Sequence, residues 1–218
     1  MKARRAALLL GIIAALSIGE GCATKQETMS PCLEQRISYS DPQFQERMID
    51  MDSLAIILMD MQEPFLYYTK DSKTVIQNQL ETLDYAKKNN IPVIMIEYEG
   101  NGPTVRPLRE KLAELSNVYR ITKSKDNAFH DTKLEQQLKQ QGIQTLYFMG
   151  GKFPYCLFRT ANYALKKGFN IISSEDVIFG NVMDECNYAT ANWFSHYGIY
   201  KENHQQLLPM IMTSNISQ

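Results

Sequence analysis

Six short apolar runs alternate along this chain with stretches whose apolar residues recur at helical spacing. Leu54-Ala55-Ile56-Ile57-Leu58-Met59 is continuous and apolar, as a strand covered on both faces requires. Val75, Ile76, Leu80, Leu83 and Ala86 then follow a helical period up to Asn89-Asn90. Pro92 to Ile96 predicts a second strand, and residues 105–115 predict an amphipathic helix with Arg109, Glu110, Lys111 and Glu114 outward. Val118 to Thr122 predicts a third strand. Leu134 and Leu138 mark a helix closed by Gly142. Thr145 to Met149 predicts a fourth strand, stopped by Gly150-Gly151. A helix over 155–167, a strand from Asn170 to Ser173, a helix at about 185–196 and a short strand over Gly198 to Tyr200 complete the series. This alternation predicts an α/β fold: a six-stranded parallel sheet with helices on both faces, in three layers.

The pattern does not hold at the beginning. Lys2, Arg4 and Arg5 precede an unbroken apolar and small-residue stretch from Ala6 to Gly19, too short to span a membrane and suited to a signal peptide over residues 1–21. Cys22 follows at once, as in a lipoprotein signal, where that cysteine is acylated. Gly19 and Glu20 depart from the usual residues of that signal. The alternative is an ordinary cleaved signal with Cys22 a plain thiol. Residues 22–44 are polar, aperiodic and carry Pro31 and Pro42, so they read as a tether. The domain is expected over 45–218. These features predict an exported protein, periplasmic or on the outer surface, anchored to the membrane by lipid at Cys22.

Composition narrows the function. Hydrophobic residues make up 44% of 218 and charged residues 22%, ordinary for a globular domain. A net charge of −1 gives no field for nucleic acid. Four cysteines without CxxC spacing make neither a disulfide scaffold nor a redox pair, and three histidines leave little for a metal.

Open parallel sheets gather chemistry at the carboxyl ends of their strands. There stand Asp60-Met61-Gln62-x-x-Phe65 after the first strand and Lys123 after the third, with Ala128-Phe129 beyond. Gly150 closes the fourth, and Cys156 follows with Thr160-Ala161-x-x-Ala164; Gly168 and Asp176 bracket the fifth. This order resembles the isochorismatase-like cysteine hydrolases, a Rossmann-like family that includes nicotinamidases and other small amidases. The resemblance covers roughly residues 50–210 and implies a Cys-Asp-Lys triad of Cys156, Asp60 and Lys123. It further implies an oxyanion hole from the Cys156 N–H and a cis peptide between Gly151 and Lys152. Self-association is also a family habit, which points to a homo-oligomer.

Physical chemistry agrees with those roles. A thiol attacks as thiolate, and a position in the first turn of a helix, beside a lysine, favours that anion. Asp60 would take the thiol proton and return it to a leaving amine. The expected reaction is hydrolysis of a C–N bond in a small amide through a covalent acyl-enzyme. Plainer readings stand beside each residue. Cys156 alone reads as a small buried hydrophobe, Asp60 as a helix cap, and Lys123 or the nearby Lys125 as a solvated side chain. Gln62, Phe65, Glu97, Phe129, Phe153 and Tyr155 are candidate pocket residues; Phe65 and Phe129 read more readily as core than as substrate-stacking groups. His130 reads as a surface residue.

Two departures from the family pattern matter. Nicotinamidases hold a metal with histidines after the second strand, where this chain reads Glu97-Tyr98-Glu99-Gly100-Asn101-Gly102-Pro103. No metal and no cofactor are therefore expected. Val and Thr, common in the family before the nucleophile, are replaced by Gly151-Lys152-Phe153-Pro154-Tyr155. The competing expectation is a catalytically silent domain kept for ligand binding or assembly. Cys32 and Cys186 receive no role, and the aromatic residues Tyr188, Trp193, Phe194 and Tyr197 suit either a core or a subunit interface.

Overall fold

The computed structural model describes residues 48–67, 69, 71–153, 155–180 and 192–212. Signal, tether, Cys22, Cys32, Pro154, Cys186 and Tyr188 lie outside the described residues. Strands β1 (Ile49–Asp50), β2 (Leu54–Met59), β3 (Val93–Tyr98), β4 (Val118–Lys123) and β5 (Thr145–Phe153) are followed by β6 (Asn170–Ser174), β7 (Ile178–Gly180), β8 (Ile199–Lys201) and β9 (Ile211–Met212). The six expected strands form one parallel sheet in the order β4-β3-β2-β5-β6-β8, and β7 adds beside β5. The expected α/β architecture is present. Outside it, β1 and β9 pair in parallel, Ile49 with Ile211, so the first and last described strands lie side by side.

Helices α1 (Glu63–Leu66), α2 (Ser72–Lys88), α3 (Arg106–Leu112), α4 (Leu134–Gln140), α5 (Cys156–Lys166) and α7 (His204–Leu207) connect the strands. Residues 192–197 are helical and are called α6. The period of two along β2 divides its buried side chains between two cores. Leu54, Ile56 and Leu58 pack with α2 and α3 through Leu83, Ala86, Leu108 and Leu112. Ala55, Ile57 and Met59 pack with α4, α5 and α6 through Leu138, Leu157, Ala161 and Trp193. Each such aliphatic side chain contributes about 1.5–3 kcal/mol by leaving water. Among the described residues no helix is long and apolar enough to cross a membrane.

The strand boundary that departs furthest from expectation is the end of the fourth strand. The fourth strand does not stop at Gly150-Gly151 but runs on to Phe153. These glycines allow close approach instead of a turn. Gly150 has φ 100°, and a Cβ there would lie 2.1 Å from the Met59 carbonyl oxygen. A Cβ on Gly151 would meet the Phe179 ring at 2.5 Å. The extension is where β7 pairs, Gly150 with Ile178 and Phe153 with Gly180.

Candidate active site

Three strand ends converge on one buried group. Met59 pairs with Ile96 on one side and Gly150 on the other, so Asp60 stands at the carboxyl edge between β3 and β5. Asp60 takes a left-handed backbone, φ 53°, which turns the chain off the strand; aspartate tolerates that conformation better than most residues. Its N–H donates to the Ile96 carbonyl at 2.9 Å. The helix that follows is entered at Gln62 without a side-chain cap, so Asp60 is not a helix cap.

Lys123 ends β4, opposite Tyr98 of β3. Two strand spacings, about 10 Å, separate it from β2. The long lysine side chain spans that gap and brings Nζ to 2.9 Å from Asp60 Oδ2. On the way the ammonium lies over the Tyr98 ring, 4.1 Å from its centroid, an attractive cation–π placement. Asp60 and Lys123 are each only 1% exposed. Lys125, the rival position, is exposed.

Cys156 opens α5, the residue after the helix cap Tyr155, and is 2% exposed. Its sulfur is a thiol, in no disulfide among the described residues. The Gly151–Lys152 peptide bond ahead of it is cis. Burial pushes the Asp60 carboxyl up to about 6, against the opposing pull of the Lys123 charge and of the Cys156 thiol. Burial acts downward on Lys123, but Asp60 and Cys156 outweigh it and leave the ammonium above its ordinary value. Apart from the ion pair itself, neither Asp60 oxygen nor Lys123 Nζ has an aligned hydrogen-bond partner.

A fourth group was not anticipated. Asp126, in the loop after β4, accepts from the Cys156 thiol with Sγ 3.7 Å from Oδ1. Its other oxygen lies 3.6 Å from Arg159 Nε on α5. Thr160 holds this loop against the helix: its hydroxyl accepts the Ala128 N–H at 3.0 Å and donates to the Asp126 carbonyl at 3.4 Å. The usable signal was an acid three residues past Lys123, but a polar loop offers no periodicity to make it stand out.

Most candidate pocket residues are spent elsewhere. The Gln62 amide donates to the carbonyls of Tyr98 and Gly102 and accepts the Tyr98 N–H, so it braces the turn after β3. Glu97 accepts the Thr104 N–H at 2.6 Å across the same turn. Phe65 packs edge-on to Tyr98, Phe129 against Tyr163 and Phe169, and Phe153 against Phe158, all within the cores. Tyr155 and Lys152 are half-buried, and His130 is exposed. Trp193 and Phe194 are fully buried, which removes them as an interface patch. Among the described residues no three His, Cys, Asp or Glu side chains are grouped to hold a metal ion. A cavity of about 240 Å³ lined by Ile49, Asp50, Ser53, Thr145 and Asn170 sits at the amino ends of β5 and β6, the far end of the sheet from Asp60.

Comparison with known proteins gives a match to the isochorismatase domain over residues 54–194. Nicotinamidase 3 of Arabidopsis thaliana is 23% identical over 162 residues, 64% of this chain and 80% of that protein. Among solved structures, the MAR1 ribonuclease of Caenorhabditis elegans superposes with a TM-score of 0.68 at 23% identity, covering 76% of this chain and 84% of that one. A cysteine hydrolase from Pseudomonas syringae pv. phaseolicola gives 0.62 at 16% identity, covering 77% and 98%.

Proposed function

This chain belongs to the isochorismatase family, and from that premise we propose that it is a cysteine hydrolase cleaving a C–N bond of a small amide. The observation that carries the reading is the meeting of Asp60, Lys123 and Cys156 at one buried edge, with the two charges 2.9 Å apart and the thiol acting electrostatically on both. In the reaction, Asp60 takes the thiol proton as Cys156 sulfur bonds to the substrate carbonyl carbon. Lys123 keeps Asp60 ionised and offsets the charge on sulfur. The oxyanion is held by the Cys156 N–H and by the N–H of the Gly151–Lys152 peptide, a role carried over from the family. As the C–N bond breaks, the amine leaves with the proton from Asp60. Water, losing a proton to Asp60, then attacks the thioester and releases the acid and the thiol.

Nicotinamide is not the favoured substrate, although relatives are named for it. The turn where that activity would place a metal has Glu97 committed to the Thr104 N–H and no histidine, so the residues do not fit a metal, and no step runs through one. A net charge of −1 supports a small molecule over nucleic acid, despite the ribonuclease name of one structural neighbour. Export through residues 1–21, lipid anchorage at Cys22 and self-association belong to the same proposal, supported by the charged and apolar pattern of the first 22 residues and by family habit. The competing reading, a silent binding domain, draws on one observation: the thiol is 2% exposed and faces a carboxylate besides Asp60. A screen of small amides decides between them. Hydrolysis by the native protein and none by Cys156→Ala is expected. Undiminished hydrolysis by that variant sinks the mechanism.

A further inference from the structure

The triad leaves Asp126 unexplained. Its side chain is 25% exposed, whereas those of Asp60 and Lys123 are 2% and 0%. One oxygen faces Cys156 Sγ at 3.7 Å and the other faces Arg159 Nε at 3.6 Å. Arg159 lies one turn along α5 from the nucleophile and its side chain is 49% exposed. Among the described residues, the charged groups that act on the thiol include Asp60 from the end of β2, Lys123 from the end of β4, Asp126 from the loop after it and, through Asp126, Arg159 of α5. A carboxylate that accepts an S–H bond stabilises the thiol and repels the thiolate. A guanidinium on its far oxygen weakens both effects. Thr160 fixes the geometry, because its hydroxyl bonds to the Asp126 carbonyl and the Ala128 N–H.

We propose that Asp126 is a positioning residue that holds the Cys156 proton in the resting protein, and that Arg159, acting on its second oxygen, sets how readily that proton leaves. The proposal rests on the reading of Cys156 as nucleophile.

The test reads the thiol without needing a substrate. The ultraviolet absorbance of the Cys156 thiolate is titrated in the full chain, with the signal of Cys156→Ser subtracted to remove the other cysteines. Asp126→Asn should lower the midpoint by about one pH unit, close to a tenfold larger thiolate fraction on the acid side. Asp126→Ala should move it in the same direction, which guards against a folding or amide artefact. Arg159→Gln should raise it by a smaller step, since a half-exposed charge is screened. In the Asp126→Asn background, Arg159→Gln should shift it less than it does alone. Equal midpoints in the native protein and both Asp126 variants overturn the proposal. If the midpoints move but Cys156→Ala still hydrolyses amides, the hold of Asp126 on the thiol stands while the catalytic reading falls. If Cys156→Ala is inactive and the midpoints do not move, the reverse holds.

Discussion

Two of the described ion-pair clusters are built around a buried side chain, His204 in one and the Asp60–Lys123 pair in the other, and they are completed differently. At His204 every ring nitrogen has a partner: Nδ1 lies 2.6 Å from Asp176 Oδ2 and Nε2 lies 3.1 Å from Glu81 Oε2. The backbone N–H of His204 donates to Asp176 Oδ1 at 2.9 Å, so the carboxylate grips the start of α7 twice. At Asp60 and Lys123 the two charges have each other and the thiol, and no aligned hydrogen bond completes either group. Buried polar groups in a purely structural role are normally satisfied. The His204 cluster follows that rule and ties α2, α7 and the turn after β6 together. The Asp60 cluster departs from it, as a group kept ready to exchange protons would.

Removing one member from each cluster tests the contrast. Lys123→Ala leaves Asp60 buried without its counter-charge and should cost about 3–5 kcal/mol in denaturant unfolding, with hydrolysis lost. The cost should shrink on acidification, because a protonated Asp60 carries no charge to strand. A variant equally stable at all pH values would show that the pair is not the charge-compensating unit described. Changing both partners to apolar residues, Asp60→Leu with Lys123→Met, should restore most of that stability and none of the activity. Recovered hydrolysis in the double variant would break the comparison outright.

The pH profile is the next test. Asp60 must be ionised to accept the thiol proton, so kcat/KM should fall as pH drops through about 6. Stability carries the opposite sign. The folded carboxyl, at about 6, holds its proton longer than the unfolded one at 3.8. The Asp60 contribution to stability should therefore decline as pH rises across that interval. An acid limb near 4 would mean that burial does not govern this group. His204→Ala should cost a smaller amount, about 1–3 kcal/mol, with kcat/KM unchanged. A loss of activity there would move His204 into the working machinery. Glu81→Gln should have the least effect, under about 1 kcal/mol, because that carboxylate is 43% exposed.

Where local pattern carries the information, the sequence is readable. The β2 run Leu54–Met59 is uniformly apolar because helices cover both its faces, and a run so short and unbroken suits little else. Lys123, one residue past the last expected strand position, is the residue that reaches Asp60. The misreading of Gly150-Gly151 has a simple cause: a glycine that admits a neighbour looks, in sequence, like a glycine that makes a turn. Polar residues at a strand end, such as Gln62 and Glu97, suggest a pocket. Only the folded chain shows their side chains spent on backbone groups of the next turn. Asp126 and the partners of His204 depend on contacts between distant segments, the latter 28 and 123 residues apart. No window of neighbouring residues contains that information.

The pairing of β1 with β9 has a topological consequence. Ile49 and Ile211 are neighbours in a two-stranded ladder, so the described domain is nearly a closed loop with a single nick. A short linker across that nick, with new ends opened in the solvent-facing turn between α3 and β4, gives a circular permutant whose sheet order is unchanged. In such a molecule the Asp60, Lys123 and Cys156 edge keeps every strand pairing it now uses, although the chain link between α3 and β4 is cut. The order in which those residues leave a ribosome changes, while their arrangement in space does not.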